Sequence, residues 1–185
     1  MVILVEGSSD AAALRVLAAR SFRDLGRHGV EIVSMGGATN IGHYLRRLGP
    51  MGRGVTVAGL CDAGEERFFV RALDNEGLAA TTREEMAHHG FFVCDRDLED
   101  ELLAALGVEK AERVLQREGE LNLFRRFQRQ PAQRQRSTPD QLHRFAGTRS
   151  GRKVRLAAAM AEAVELEAVP RPLHELLEFV SSADY

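Results

Sequence analysis

The sequence has few of the features that mark secreted, membrane-spanning or zinc-binding proteins. It contains no run of eighteen apolar residues, so it predicts no membrane span. Its first residues lack the basic and then apolar order of a secretory signal. The two cysteines, Cys61 and Cys94, and the six histidines show no metal-ligand spacing. A reducing cytoplasm is therefore the expected location.

The chain also lacks internal repeats, low-complexity segments and the GxxxxGK[ST] loop that cradles ATP phosphates. Any ATP-driven control is then expected to come from a separate ATPase chain or to be absent. With 185 residues, 44% of them apolar and 28% charged, the sequence is typical of one globular domain with a small appendage.

Charge is unevenly distributed along the chain. Residues 1–112 carry a net charge of −6 and residues 156–185 a net charge of −5, whereas residues 113–155 hold 12 basic and 3 acidic side chains, a net charge of +9. Such a basic block in an acidic chain is typical of a face that binds a polyanion. A solvated arginine-rich surface is the alternative interpretation.

The first hundred residues predict alternating strands and helices. Short Val/Ile/Leu-rich runs predict four strands, at 2–5, 30–35, 55–61 and 90–94. The segments between and after them have helical composition: 11–22, 38–49, 65–77 and 97–107. Nearly continuous apolar strands that alternate with helices indicate an α/β fold with a parallel sheet covered on both faces.

Strand signals end at about residue 108. Helices are predicted at 108–130, 141–147, 148–166 and 171–180, with a polar loop at 131–140. We therefore expect an α/β domain at 1–107 and a helical extension, 108–185, that packs on it.

Acidic residues follow three of the four predicted strands. Glu6, with Asp10 four residues later, follows the first strand, Asp62 the third, and Asp95 and Asp97 the fourth. Ligands of parallel sheets bind beyond the carboxyl ends of the strands, so these acids are expected to meet at one edge. Asp62 and Asp97 are also suited to cap the helices that follow them.

The ordered set of motifs resembles the TOPRIM half of the overcoming-lysogenization-defect (OLD-like) nucleases. The matching segments are "LVEGSSD" (4–10), "VSMGGATNI" (33–41), "VAGLCDAGEE" (57–66), "CDRDLEDEL" (94–102) and "SGRKVRLAAAMAEAV" (150–164). The resemblance covers nearly the whole chain. It implies a Rossmann-like TOPRIM fold with a four-stranded parallel sheet, and metal-dependent nuclease activity.

The resemblance also implies roles for individual residues. Glu6 and Lys153 would be catalytic, with Lys153 near the scissile phosphate. Position 64 is Gly where the family has the second acid of an Asp-x-Asp pair, and Glu65 or Glu66 would replace it. The implied metal ligands, for up to two Mg²⁺ or Mn²⁺ ions, are Glu6, Asp10, Asp62, Glu65, Glu66, Asp97 and Glu99.

The leading interpretation is a metal-dependent phosphodiester hydrolase that acts on nucleic acid, with DNA favoured. The basic segment would guide the substrate, and its expected contacts are Arg125, Arg126, Arg129, Arg149 and Arg152. The alternative is a degenerate TOPRIM module that binds nucleic acid or a partner protein without catalysis. A hydrolase of small phosphate ligands is a third class.

Overall fold

Four parallel strands form the centre of the molecule. The computed structural model describes residues 1–21, 25 and 29–182. The strands are β1 (Val2–Val5), β2 (Glu31–Ser34), β3 (Val57–Asp62) and β4 (Phe91–Cys94), in the order β2-β1-β3-β4. The predicted α/β fold with a four-stranded parallel sheet is confirmed.

The register of the sheet places the carboxyl ends of the strands at one edge. Leu4 pairs with Gly59, and Asp62 pairs with Cys94. A Cβ atom at Gly59 would lie 2.9 Å from the Leu4 carbonyl oxygen and from the Phe91 ring, so a glycine is required for this close approach. The register therefore brings together the acids at the strand ends: Glu6 after β1, Asp62 at the end of β3 and Asp95 after β4.

Nine α-helices surround the sheet in the described part of the chain. The first four are α1 (Ser8–Arg20), α2 (Ile41–Leu48), α3 (Glu66–Asn75) and α4 (Arg83–His88), and the other five are α5 (Leu98–Arg117), α6 (Leu121–Gln128), α7 (Thr138–Ala146), α8 (Ser150–Ala163) and α9 (Arg171–Ser182). Helix α4 was not predicted. The predicted helix at 11–22 ends at Phe22, which lies outside the described residues, as does the end of the predicted extension at 183–185.

The sheet separates two hydrophobic cores. Ile3 and Val5 of β1 pack into the larger core with α1, α5 and α8, while Val2 and Leu4 pack into the smaller core with α2 and α3. Alternation of side chains along a strand places successive residues on opposite faces. Cys61 and Cys94 are buried in different cores, so the sheet separates their thiols.

The helical extension shares the larger core with the sheet. Helix α8 packs along α1, and the Arg20 guanidinium donates to the carbonyl oxygens of Ala161 and Val164 near the end of α8. Helix α5 spans the predicted boundary at residue 107 as two helical segments with a kink between them, because the φ of 70° and ψ of 165° at Gly107 are not helical. The division into two domains remains a prediction.

Residues 108–130 were predicted to be helical, and most of this range is helical in the structure. The range is divided between the end of α5 and the whole of α6, which are separated by Gly119 with φ 71°. A positive φ ends an α-helix, and glycine adopts it without steric cost. None of the helices in residues 1–21, 25 and 29–182 is long and apolar enough to cross a membrane.

Candidate metal and nucleic-acid site

Glu6 and Asp62 are neighbours at the carboxyl edge of the sheet. The Glu6 carboxylate accepts a hydrogen bond of 2.9 Å from the backbone N–H of Asp62. Burial and the nearby carboxylates of Asp10 and Glu65 raise the pKa of Glu6, whereas this hydrogen bond and the Lys153 ammonium lower it, and the net shift is upward. The two acids that the sequence placed at one edge are therefore in contact.

The Asp62 carboxylate lies in a strongly negative environment. Among the described residues, no donor forms a hydrogen bond with its oxygens. Its pKa is raised to about 8, first by burial and then by the carboxylates of Glu6, Asp10, Asp97 and Glu99. Like charges that converge in this way oppose ionisation unless a cation joins them.

Asp10 has a structural role at the start of α1. Its carboxylate accepts hydrogen bonds from the Gly7 N–H at 2.8 Å and from the Ser9 hydroxyl at 3.2 Å. Burial raises the pKa of Asp10 despite these bonds and the nearby Lys153 charge. The side chain thus helps to cap the helix and also contributes charge at the sheet edge.

Asp97 is held on two sides. One carboxylate oxygen caps α5 by accepting from the Asp100 N–H at 2.8 Å, and the other lies 2.5 Å from Nε2 of His143 on α7. Burial acts to raise the pKa of Asp97, but these hydrogen bonds and the charges of His143 and Lys153 lower it overall. Asp97 therefore caps α5, as the sequence suggested. Its contact with His143 was not predicted.

Glu99 and Lys153 form a buried ion pair between α5 and α8. Nζ of Lys153 lies 3.3 Å from Oε2 of Glu99, and Glu99 is only 2% exposed. Neither Glu99 oxygen has a well-oriented hydrogen-bond donor among the described residues. Burial lowers the pKa of Lys153, but Glu99, Asp10 and Asp97 raise it overall, so the ammonium lies among the acids of the sheet edge.

The acids proposed to replace the missing aspartate have different surroundings. Glu65 lies close enough to Glu6 to raise its pKa. The Glu66 carboxylate instead accepts from Nε of Arg83 at 3.0 Å. Gly64 is exposed, and no atom lies within 4 Å of the position that its Cβ would occupy.

The basic segment contains both exposed and buried arginines. Arg126, Arg129 and Arg149 are exposed, and no described acid pairs with them. Arg125 is partly exposed and pairs with Glu112. These residues remain candidate phosphate contacts.

Arg152 requires a correction, because its side chain is not on the surface. The residue is 7% exposed, its Nη2 lies 3.0 Å from Oε2 of Glu120, and its guanidinium stacks 4.1 Å from the centre of the Phe145 ring. An arginine that is already paired and stacked in the interior cannot contact a nucleic acid on the outside. The structure assigns Arg152 to the packing of α8.

The donor chemistry of the edge fits a hard divalent cation. Carboxylate oxygens are the ligands that Mg²⁺ and Mn²⁺ prefer, and Glu99 offers two buried oxygens, one of which lies beside the Lys153 ammonium. In the described ranges, however, no three acidic, histidine or cysteine side chains already converge into a cation cage. The carboxylates of Glu6 and Asp10 are engaged with backbone N–H groups instead.

Comparison with known proteins identifies this arrangement. Residues 1–63 match the family described as "Overcoming lysogenization defect protein-like, TOPRIM domain". The C-terminal region of the Xanthomonas campestris pv. campestris OLD protein has a TM-score of 0.76 and 26% identity, over 97% of this chain and 90% of that chain. The C-terminal region of the Burkholderia pseudomallei OLD protein shares the fold, with a TM-score of 0.71 and 23% identity over 97% and 96% of the two chains. No curated protein gives a significant match.

The parallel sheet with acids at its carboxyl edge is thus a TOPRIM domain. Within that class, residues 1–63 match the OLD-like TOPRIM family, and nearly the whole chain is similar in fold to the C-terminal regions of OLD proteins. Domains of this family generally process nucleic acid and bind divalent metals.

Proposed function

We propose that this protein is a metal-dependent phosphodiester hydrolase that cleaves nucleic acid, with DNA as the favoured substrate. One observation carries the proposal: the Asp62 carboxylate has no described hydrogen-bond donor and faces four other carboxylates beside a single ammonium, that of Lys153. A cluster with this excess of negative charge is stabilised by divalent cations. The family relationship supports the same chemistry.

The residues that would hold the metal lie at the ends of three strands and in the helices that follow them. They are Glu6, Asp10, Asp62, Asp97 and Glu99, with Glu65 or Glu66 in the place of the acid missing at Gly64. Bound Mg²⁺ or Mn²⁺ would stabilise charge on the attacking and leaving oxygens of a phosphodiester.

The protein's own groups have distinct tasks in this proposal. Lys153, which Glu99 holds in place, would neutralise charge that develops on the phosphoryl oxygens. His143 fixes the orientation of Asp97, as partners of metal-binding carboxylates commonly do. The exposed Arg126 and Arg129 would attract the phosphate backbone and hold it near the edge.

Cleavage of supercoiled, linear and single-stranded DNA and of RNA, with Mg²⁺ or Mn²⁺, tests the proposal. The wild-type chain should cleave at least one of these substrates, and Asp62→Asn should abolish cleavage. Asp74→Asn is the matched control, because Asp74 is exposed at the far end of α3. Equal activity of wild type and Asp62→Asn, or no cleavage under any condition, would contradict the proposal.

A second candidate function is a TOPRIM module that binds nucleic acid or a partner chain without catalysis. The exchange of the second acid for Gly64 and the lack of a preformed cage within the described ranges favour it. Mn²⁺ affinity separates the two functions, because a degenerate site should bind the ion no better than scattered surface acids. A cytoplasmic location and a separate ATPase chain as partner belong to the proposal in either case, since full-length OLD proteins have an associated ATPase.

A further inference from the structure

Arg83 is a cation at the sheet edge that the sequence did not single out. It is the first residue of α4, and its guanidinium joins two acids that follow neighbouring strands. Nε lies 3.0 Å from the Glu66 carboxylate, and Nη1 lies 3.0 Å from the Asp95 carboxylate. The Arg83 side chain is 48% exposed, so a ligand in solvent can reach it.

Glu66 lies near the other charged groups at the end of β3. Burial raises the pKa of the Cys61 thiol on β3, and so do the charges of Glu6, Glu66 and Asp62, while Arg83 lowers it. All four charged groups therefore surround the end of one strand. Glu66 is separated from Asp62 only by the exposed turn at 63–65, where Gly64 leaves open space.

We propose that Arg83 controls the completion of the metal site: without nucleic acid it holds Glu66 away from Asp62, and a substrate phosphate that binds the guanidinium releases Glu66 to the metal. This inference rests on the proposed function and adds a regulatory step to the same site.

The exchange of partners is physically reasonable because the Arg83 guanidinium is half-exposed and its ion pair with Asp95 is open to solvent, while the Glu66 side chain is 25% exposed. The Asp95 side chain is 90% exposed, and exposed ion pairs contribute little to stability. A guanidinium has five N–H donors and can bind two phosphate oxygens at once, whereas a single contact with an exposed carboxylate uses fewer of these donors. A phosphate near Lys153 on one side of the acids could thus also be bound by Arg83 on the other.

Such an exchange couples the binding of the metal to the binding of nucleic acid. If phosphate binding frees a metal ligand, then nucleic acid increases metal affinity, and the metal increases nucleic-acid affinity by the same factor.

A double-mutant cycle on Mn²⁺ binding tests the proposal without nucleic acid. Isothermal titration with Mn²⁺ alone would compare wild type, Arg83→Gln, Glu66→Gln and the double variant. Arg83→Gln should bind Mn²⁺ more tightly than the wild type. Glu66→Gln should then lower the Mn²⁺ affinity roughly tenfold more in the Arg83→Gln background than in the wild-type background. Such non-additivity is typical of side chains in one network. Arg67→Gln is the charge control, because Arg67 is exposed and adjacent to Glu66 in sequence.

The phosphate contact is tested on duplex DNA in EDTA. The slope of log affinity against log salt should become less steep by about 1 in Arg83→Gln. Additive Mn²⁺ effects, a gain in Arg67→Gln equal to that in Arg83→Gln, or an unchanged salt slope would overturn the proposal. If the wild-type chain neither binds Mn²⁺ nor cleaves nucleic acid, the proposed function fails as well; if it does both and the cycle is additive, only the role of Arg83 fails.

Discussion

The buried pair of Glu120 and Arg152 should be among the most sensitive points of the fold. Glu120 is the N-cap residue of α6 and is 8% exposed, and Arg152 on α8 is 7% exposed. Glu120 also contacts Arg155, whose side chain is 49% exposed, whereas Arg152 has no second described acid. The pair is therefore asymmetric: Glu120 can lose one cation and keep another, but Arg152 cannot lose its only anion.

This asymmetry sets the expected magnitudes. Glu120→Gln leaves a buried guanidinium without a counter-charge and should cost about 3 kcal/mol of unfolding free energy, at the low end for a broken buried pair. Arg152→Met keeps an apolar stem, leaves Glu120 paired with Arg155 and loses the stacking on Phe145, so it should cost about 1 kcal/mol. The double variant should be more stable than Glu120→Gln alone, because it no longer buries an unpaired charge.

Urea unfolding followed by circular dichroism measures these differences. With a urea slope of about 2 kcal/mol/M, Glu120→Gln should lower the unfolding midpoint by about 1.5 M and Arg152→Met by about 0.5 M. Arg152→Met should also leave the salt dependence of DNA binding unchanged, while Arg126→Met should reduce its slope by about 1. If Arg152→Met weakened the salt slope at unchanged stability, Arg152 would be a phosphate contact and its assignment to packing would be refuted.

Three further predictions concern the acidic edge. Lys153→Ala should reduce the initial cleavage rate far more than DNA affinity, and equal losses would make Lys153 an ordinary phosphate contact. In EDTA, a pKa of about 8 keeps Asp62 protonated in the folded chain, whereas its ordinary pKa is 3.8. The free energy of unfolding should therefore fall as pH rises between these two values, and urea titrations at several pH values should show a smaller fall for Asp62→Asn. Identical pH profiles of stability for the wild type and this variant would contradict the prediction. Gly64→Asp should fold normally and bind Mn²⁺ more tightly by isothermal titration, because its Cβ meets no atom within 4 Å; weaker binding would argue against a metal at this turn.

The sheet and its acids were predictable because their signals are local. Short apolar runs mark buried strands, and the rule that parallel strands end at one edge brought Glu6 and Asp62 together over 56 residues of sequence. Helix α4 also had a local signal that was overlooked. Thr82 and Glu85 form a capping box, the S/T-x-x-E pattern that marks a helix start, and it would have located Arg83 at the first helical position.

The pairing of charges was not predictable from composition. The net charge of +9 counts Arg152 as a surface cation, yet its partner Glu120 lies 32 residues earlier in the chain. The contact between His143 and Asp97 spans 46 residues, and nothing near either residue indicates it. Both pairs depend on how the helices of the extension pack against one another, which a single sequence does not encode in a local pattern.

The helical extension is chemically part of the site, although its sequence pattern differs from that of the α/β region. The acids Glu6, Asp10 and Asp62 come from the sheet and its first helix. Two cationic groups of the site come from the extension: Lys153 on α8, whose charge acts on Glu6 and Asp10, and His143 on α7, which contacts Asp97. A chain cut at the predicted boundary would therefore lose these cations and uncover the core that α8 shares with α1. Because Lys153, His143 and Arg83 together still leave the acids in excess, the charge of the complete site remains negative, which is the condition that favours a divalent cation at this edge.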